Sequence, residues 1–371
     1  MGFESGNVTF RIYEVEGELT ADLLEEFAKH VVPPIETLDR EPISGWGGPR
    51  HLLDREITQD NCLAGMYLRV ALLKAERKIP PSLLRAHCRL EEQVEMKARG
   101  LPFLNRITRS EIKEEVTGRL LPAMPPSLSG IPVVLDLTRR DRLYAQAMSE
   151  KQQDAFVAGF RSATGLGVMP LAPDVAAMKL RQLNVRDFAP AIFAPGESSV
   201  APVEGIGLDF LTWLWFFWEE KGGTFSANPG DTGQPWQMML EGPLTFVVEG
   251  DGAHETVLRR GMPLISAEAK TALLSGKKLV RCKMNLVRGD DVWSVSIDGG
   301  DFGFRSLKLP KLEPMLDQVS QYQERMRHLV TFCDAFMGLF GQFLDLRRDK
   351  AAWAETLTGM QHWISSRRAL A

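Results

Sequence analysis

The segment Met66–Pro122 constrains the fold of this chain more than any other, because it reads as one strand followed by two helices. Its first part, Met66–Leu73, is an apolar run that ends at a basic turn, which is typical of a buried strand. Two prolines and a serine then start a helix, which Gly100 ends. A second helix is expected near Thr108, which precedes Glu111 by three residues as in a capping box. The segment therefore predicts a buried strand that leads into a pair of helices.

The helical part of this segment is basic although the chain as a whole is acidic. From Arg69 to Arg119 there are twelve Lys/Arg and seven Asp/Glu, an excess of five positive charges in a chain of formal net charge −4. Several of these cations recur three or four residues apart, so each helix can present them on one side, where they suit a phosphate backbone. The candidate DNA-binding residues are Arg85, Arg89, Arg106, Arg109 and Lys113. In the alternative interpretation, the glutamates between them pair with these cations and the helices are simply solvated.

A second basic tract lies between Thr256 and Lys311, with eleven Lys/Arg and five Asp/Glu. Within it, Lys277–Leu286 alternates apolar with basic residues, as a strand with one apolar and one basic face does. The candidate DNA-binding residues here are Arg259, Arg260, Lys277, Arg281 and Lys283. Alternatively, lysines on an exposed strand serve only to prevent sheet edges from pairing. A nucleic-acid binder needs a local positive face and not a positive total, so the acidic net charge does not exclude this class.

Several segments of the chain together match a known family pattern. They are KAERKIPPSLL, the Glu/Lys-rich helix through MKARG, the run SEIKEEVTGRLLP, and the strand and helix segment that ends in GLGVMPL. A weaker likeness continues through VLRRGMPLISAEAKTALLSGKKLV and the final long helix. In these segments the chain resembles the recombination-associated protein RdgC family. It departs from the family pattern at AMPPSLSG, where Met124 and Pro125 stand in place of an expected Arg and Phe, and in extra sequence around Gly205–Glu249 and at the C-terminus.

The resemblance implies an α+β fold with mixed or antiparallel sheets, a projecting helical tip and long C-terminal helices. It implies three domains: a central domain from residues 1–78 and 129–172, a helical tip from 79–128, and a base domain from 173–371. The proline-rich segment Pro173–Pro202 marks the boundary of the base domain. The resemblance also implies a ring-shaped homodimer that binds double-stranded DNA with little sequence preference and restrains RecA-type strand exchange, in the cytoplasm and associated with the nucleoid.

Other segments predict the remaining elements. Val8–Glu16 reads as a strand and Thr20–His30 as a helix. The glycine-rich segment Ile43–Arg50 lacks the residues of a phosphate-binding loop and is interpreted as an ordinary loop. The aromatic run Leu208–Glu220 predicts core or a subunit contact, and Leu316–Arg348 predicts a long helix that is packed on more than one side.

Catalytic patterns are scarce in the sequence. The six histidines lack paired-ligand spacing, the four cysteines form no CxxC motif, and neither a Walker nor a GxSxG sequence occurs. We therefore expect a protein that is not an enzyme and that carries no cofactor or metal. The scattered cysteines fit reduced thiols in the cytoplasm. No membrane span is expected, because the longest apolar run, Ile206–Trp218, falls short of the roughly 20 residues that cross a bilayer.

Two other functions remain open. Glu95–Lys97 and Glu111–Lys113 are E-x-K pairs of the kind that metal-dependent nucleases use, although those enzymes place the pair on a strand and these pairs lie on predicted helices. Incubation of plasmid with magnesium or manganese distinguishes a nuclease from a DNA-binding clamp. The third hypothesis is a protein-interaction scaffold that uses the aromatic run and the long terminal helix and does not bind DNA.

Overall fold

One antiparallel sheet extends through both halves of the chain. The computed structural model describes residues 2–195, 204–227, 233–248, 254–312 and 317–366. Thirteen strands belong to this sheet among those residues, and every strand pairing between them is antiparallel. The strands are β1 (Val8–Glu16), β2 (Ile43–Gly47), β3 (Leu63–Ala64), β4 (Tyr67–Arg77), β5 (Pro126–Asp136), β6 (Arg142–Ala145), β7 (Gly167–Pro170), β8 (Thr224–Phe225), β9 (Trp236–Val247), β10 (Glu255–Leu258), β11 (Lys278–Arg288), β12 (Asp291–Asp298) and β13 (Gly303–Lys308).

The main order across the sheet is β10-β9-β11-β12-β13-β1-β6-β5-β4-β2, and the short strands β3, β7 and β8 pair with β4, β1 and β9. The helices are α1 (Leu23–Lys29), α2 (Gln59–Cys62), α3 (Pro81–Arg99), α4 (Arg106–Leu120), α5 (Glu150–Thr164), α6 (Pro173–Arg181), α7 (Ile206–Lys221), α8 (Ala267–Leu274), α9 (Gln318–Arg348) and α10 (Lys350–Ser365). The α+β class with an antiparallel sheet and long C-terminal helices is confirmed. The division into three domains stays a prediction.

Strand β1 joins the two halves of the sheet. Its first residues pair with β13, where Phe10 lies opposite Phe304 and stacks on it at 5.1 Å between ring centroids. Its later residues pair with β6 on one edge and with β7 on the other. Because side chains alternate along a strand, Phe10 enters the larger core with α7 and α9, while Tyr13 enters the smaller core with α5. Helices therefore cover opposite faces of the two halves.

Helix α9 forms the centre of the larger core. Its aromatic residues at positions 332, 336, 340 and 343 are buried, and Phe336 packs edge-on against Phe210 of α7 and Phe302 at 5.7 and 5.0 Å. Residues Ile206–Phe216 of α7 are all buried. This part of the aromatic run therefore belongs to the core, which is one of the two roles, core or subunit contact, that the sequence predicts. The long helix was predicted from Leu316, which lies outside the described residues.

Among the described residues, α9 is also the helix that is long and apolar enough to cross a membrane, by length and composition. In this fold, 61% of its most apolar window is buried inside the protein. Core helices of soluble proteins pass the same test, so the finding is weak evidence for a membrane span.

The glycine-rich segment Ile43–Arg50 is not simply a loop, because its first five residues form β2. Strand β2 pairs with β4, and buried Trp46 lies opposite Leu72. The glycines let other backbone approach closely: a Cβ on Gly45 would lie 2.6 Å from the Cα of Val32, and one on Gly47 would lie 2.4 Å from the carbonyl oxygen of Asp54. The glycines that suggested a loop are thus required by tight packing around a strand.

A buried ion pair ties α7 to the sheet. Lys278 Nζ lies 2.6 Å from Asp209 Oδ1, and both side chains are almost fully buried. Arg347 of α9 approaches the other carboxylate oxygen at 3.6 Å and is also buried. Burial raises the pKa of Asp209, and Lys278 is the strongest opposing influence. Loss of either partner is expected to destabilise the fold, because the remaining buried charge is not compensated by water.

We predict that Lys278→Met destabilises the protein strongly, because it leaves Asp209 buried without its closest partner. The free energy of unfolding should fall by about 3–5 kcal/mol in denaturant titrations. The control is Lys277→Met at the preceding residue, which is only half-buried and whose Nζ donates to Thr256 Oγ1. Equal losses in the two variants would show that the buried pair has no special role.

Candidate nucleic-acid interface

Helices α3 and α4 form a hairpin that is inserted between two paired strands. Strands β4 and β5 pair along their whole length, from Tyr67 opposite Asp136 to Arg77 opposite Pro126. The insertion begins beyond this last pair and has a small core of its own around Ile112. The buried residues of that core are Leu104, Ile112 and Val116, against which Leu84, Cys88, Met96 and Leu120 pack. The predicted pair of helices after a buried strand is therefore confirmed.

Local sequence signals set most of the hairpin's boundaries. Gly100 ends α3 in the left-handed conformation, with φ of 63°, as predicted. The start of α4 differs from the prediction: Asn105 is the N-cap, and its side chain accepts a hydrogen bond from the Thr108 backbone N–H at 2.8 Å. The predicted capping box at Thr108 is wrong, because Thr108 is already inside the helix and buried. Asparagine fills the same role as threonine at this position.

The five basic candidates on the hairpin lie at the surface and have no acidic partner among the described residues. Arg85, Arg89, Arg106, Arg109 and Lys113 are all exposed, and no ion pair joins any of them to another residue within the described part of the chain. Two other arginines of the hairpin do have acidic partners: Arg119 lies 2.7 Å from Glu91 and Arg99 lies 2.5 Å from Glu95. The alternative interpretation, in which glutamates neutralise the helices, therefore holds for those two cations and not for the five candidates.

The second basic tract lies on a sheet face that we call the open sheet face. It is the side of β9, β11, β12 and β13 that points away from the larger core. Its charged and polar members include Glu241, Arg281, Lys283, Asn285, Ser294, Ser296, Asp298, Arg305 and Lys308. The predicted alternation is thus present in β11, where Cys282, Met284 and Leu286 are buried on the core side.

Two of the five candidates in this tract have carboxylate partners. Arg281 Nε lies 2.6 Å from Asp298 Oδ2, and Lys283 Nζ lies 2.6 Å from Glu241 Oε2. Lys277 precedes β11 and donates to the hydroxyl of Thr256. The remaining two candidates, Arg259 and Arg260, are exposed after β10 and form no ion pair with another described residue. The structure does not place all five on one continuous unpaired surface.

Sequence reasoning missed two cations of the open sheet face, Arg305 and Lys308. Both are exposed, and neither forms an ion pair within the described ranges. Arg305 lies opposite Ser296 and Lys308 opposite Ser294, so both share the face of Lys283. Residues three apart on a regular strand point to opposite faces, but here the register shifts and Ser306 has φ of +53°. The bulge at this point puts the two cations on the same face of the sheet. The alternation of apolar and polar residues in the sequence does not reveal such a bulge.

Little in the structure resembles a metal-dependent active site. Over the described residues, no group of three or more His, Cys, Asp or Glu side chains is arranged to hold a metal ion. Glu95 and Lys97 lie on α3, and Glu111 and Lys113 lie on α4, so both E-x-K pairs are helical. The carboxylate of Glu95 is occupied by Arg99.

The fold and its charged surfaces define a class: an α+β protein whose antiparallel sheet carries an inserted helical hairpin, with cations that have no acidic partner in the described part of the chain. A family model described as "RdgC: Putative exonuclease, RdgC" matches residues 8–181, from β1 to the end of α6. This match supports the resemblance to the RdgC family that the sequence predicted. The match implies a recombination-associated protein of a DNA-binding kind. No curated protein matches the chain.

The matched region includes the whole hairpin but ends well before the open sheet face. The five hairpin cations therefore lie within the family region, whereas the second basic tract belongs to the part of the chain that the family model does not cover. Assignment of DNA contact to any of these residues stays a prediction.

We predict that the Lys283–Glu241 pair exists in solution and can be read from the pKa of Glu241. The hydrogen bond and charge of Lys283 hold this pKa below its ordinary value. The pair therefore stabilises the fold above the pKa of an unfolded glutamate, and this contribution is lost as the pH falls through the lowered value. In carbon-13 NMR titrations of labelled glutamate, Lys283→Gln should raise the pKa of Glu241 toward its ordinary value, because the hydrogen bond and charge of Lys283 are lost. Lys308→Gln on the same face should leave it unchanged; an unchanged value in Lys283→Gln would contradict the pair.

Proposed function

We propose that this protein binds double-stranded DNA without sequence preference, as a homodimer that encircles the duplex and limits RecA-type recombination. The observation that carries the proposal is the hairpin, which places five exposed cations on a projecting element without acidic partners among the described residues. The family match over residues 8–181 supports the same class. The proposed location is the cytoplasm, in association with the nucleoid.

Binding would be electrostatic and directed at the sugar-phosphate backbone. Arg and Lys that neutralise phosphates release condensed counterions, so the affinity falls as salt rises, with a slope of about −0.9 for each phosphate neutralised. If all five hairpin cations made such contacts, they alone would contribute a slope of roughly −4.5. Phosphate contacts carry no base information, so binding should depend little on sequence. Occupation of the duplex would then limit access of a recombinase.

The homodimer is supported by apolar residues on the outside of the hairpin. Phe103, between α3 and α4, is 69% exposed, and Ile107, in the first turn of α4, is 70% exposed. Leu90, Val94 and Leu101 are also exposed on the same hairpin. Exposed apolar groups of this size on one projecting element are typical of a protein contact. A second copy of the same hairpin offers a matching apolar surface, as two-fold symmetric interfaces do.

Exonuclease activity is the second candidate function, since the matched family model carries that word in its description. The E-x-K pairs are the residues that would have to serve it, although both lie on helices and neither joins an acidic cluster within the described ranges. Loss of plasmid or linear duplex in the presence of magnesium or manganese would favour this candidate over the clamp.

The first prediction from this proposal concerns Arg109 and Lys113, four residues apart on α4. The variant Arg109→Gln/Lys113→Gln should bind random-sequence duplex more weakly and reduce the salt slope by about 1.8, because two phosphate contacts are lost. Fluorescence anisotropy at several salt concentrations measures both quantities. The control Lys151→Gln/Lys350→Gln removes two exposed cations elsewhere, with the same change in net charge. Equal salt slopes in the variant and the control would show that these two hairpin cations do not contact DNA. Salt-independent binding by the wild type, or no binding, would overturn the proposed function.

The second prediction concerns the oligomeric state. Phe103→Ser/Ile107→Ser should shift the protein from dimer to monomer in sedimentation-velocity experiments, because it removes apolar area from the proposed contact. Neither side chain is buried, so the fold should be retained. Met178→Ser on α6 is the control, because Met178 is 50% exposed and lies outside the hairpin. A dimer that persists in the hairpin variant would exclude this surface as the contact.

A further inference from the structure

The open sheet face carries two kinds of cation. Arg305 and Lys308 are exposed without an acidic partner in the described ranges, while Arg281 and Lys283 each contact a carboxylate at 2.6 Å. We propose that Glu241 and Asp298 are affinity-determining residues of this face: they hold Lys283 and Arg281 and keep a fixed negative charge where a phosphate would otherwise bind. The proposal rests on the DNA-binding function proposed above.

Glu241 is held in place by more than the lysine. It lies directly opposite Lys283 in the ladder between β9 and β11, and Asn285 Nδ2 donates to Oε1 at 2.6 Å while Lys283 bonds Oε2. If Lys283 turned toward a phosphate, Asn285 would still hold the carboxylate on the face. A phosphate at Lys283 would therefore meet a neighbouring negative charge that cannot easily move away.

Asp298 is fixed in the same manner by the backbone. It lies directly opposite Arg281 in the ladder between β11 and β12, and its side chain is mostly buried. While Oδ2 bonds Arg281, Oδ1 accepts the backbone N–H of Gly300 at 3.0 Å. The turn after β12 thus anchors this carboxylate independently of the arginine, whose own side chain is about half exposed.

The two cations are nevertheless accessible enough to exchange partners. The side chains of Lys283 and Glu241 are 38% and 48% exposed, and ion pairs in contact with water are weak. A phosphate can compete for such a lysine, but each exchange leaves a carboxylate unpaired beside the DNA. The expected result is that this face contributes fewer released counterions than its four cations would allow.

The test is Glu241→Gln, which removes the charge while its amide oxygen can still accept from Asn285. It frees Lys283 for one further phosphate, so the salt slope should steepen by about 0.9. Over the tenfold range from 1 M to 0.1 M salt, that change corresponds to roughly eightfold tighter binding of random duplex at 0.1 M. Asp298→Asn is the second variant and should act in the same direction through Arg281.

Two controls separate release of a cation from a simple change in net charge. Glu355→Gln, at an exposed position of α10, makes the same change in net charge far along the chain and should leave the salt slope unchanged. Glu241→Gln/Lys283→Gln should return the slope to that of the wild type, because the freed cation is removed again. Thermal unfolding of each variant verifies that the fold is retained.

The outcomes distinguish this inference from the function on which it rests. A steeper slope and tighter binding in Glu241→Gln and Asp298→Asn, but not in Glu355→Gln, support it. If the wild type binds DNA and both variants behave like Glu355→Gln, the inference is overturned and the DNA-binding function stands. If Glu241→Gln and Asp298→Asn bind DNA and the wild type does not, the role of the carboxylates is supported and the DNA-binding function of the protein is overturned. If neither the wild type nor any variant binds DNA, the inference and the function are both overturned.

Discussion

Strand β1 is the element on which the arrangement of the whole molecule depends, because it is hydrogen-bonded to both halves of the sheet and supplies side chains to both main cores. It pairs with β13 and then β7 along one edge and with β6 along the other. Its alternating side chains send Phe10 into one core and Tyr13 into the other. Since the helices then cover opposite faces of the two halves, the C-terminal half keeps the open sheet face toward solvent.

The hairpin has a different relation to the sheet, because it is held by the β4–β5 pair and by a small core of its own. Like charges three or four residues apart on a helix, such as Arg106, Arg109 and Lys113, destabilise it by roughly 0.2–0.5 kcal/mol per pair. Glutamates elsewhere on the same hairpin do pair, with Arg99 and Arg119. The hairpin cations that lack an acidic partner among the described residues therefore lie at particular positions, and an external anion would offset the repulsion between them.

The sequence was most informative where the signal is local. The buried strand before the hairpin and the Gly100 terminus follow from neighbouring residues alone. The sequence was least informative where a contact joins strands that are distant along the chain: the pairing of Lys283 with Glu241 depends on the register between β9 and β11. The bulge at Ser306, which places Arg305 and Lys308 on one face, breaks the alternation by which strands are read. The sequence predicts a loop where β2 lies, because the glycines of this strand, which serve close packing, are also typical of turns.

The negative net charge of this chain does not by itself decide whether it binds DNA. What matters is which charged side chains near the DNA form ion pairs with each other. At physiological salt the field of an exposed charge is screened within about 8 Å, so a phosphate at the hairpin is affected mainly by the groups beside it. Distant acids, which make the total negative, then matter little, whereas Glu241 and Asp298 act at contact distance on the cations that they hold. The attraction of each basic surface for phosphate therefore depends on the ion pairs within that surface. By this criterion the hairpin attracts phosphate more strongly, because the open sheet face is partly neutralised by its own carboxylates.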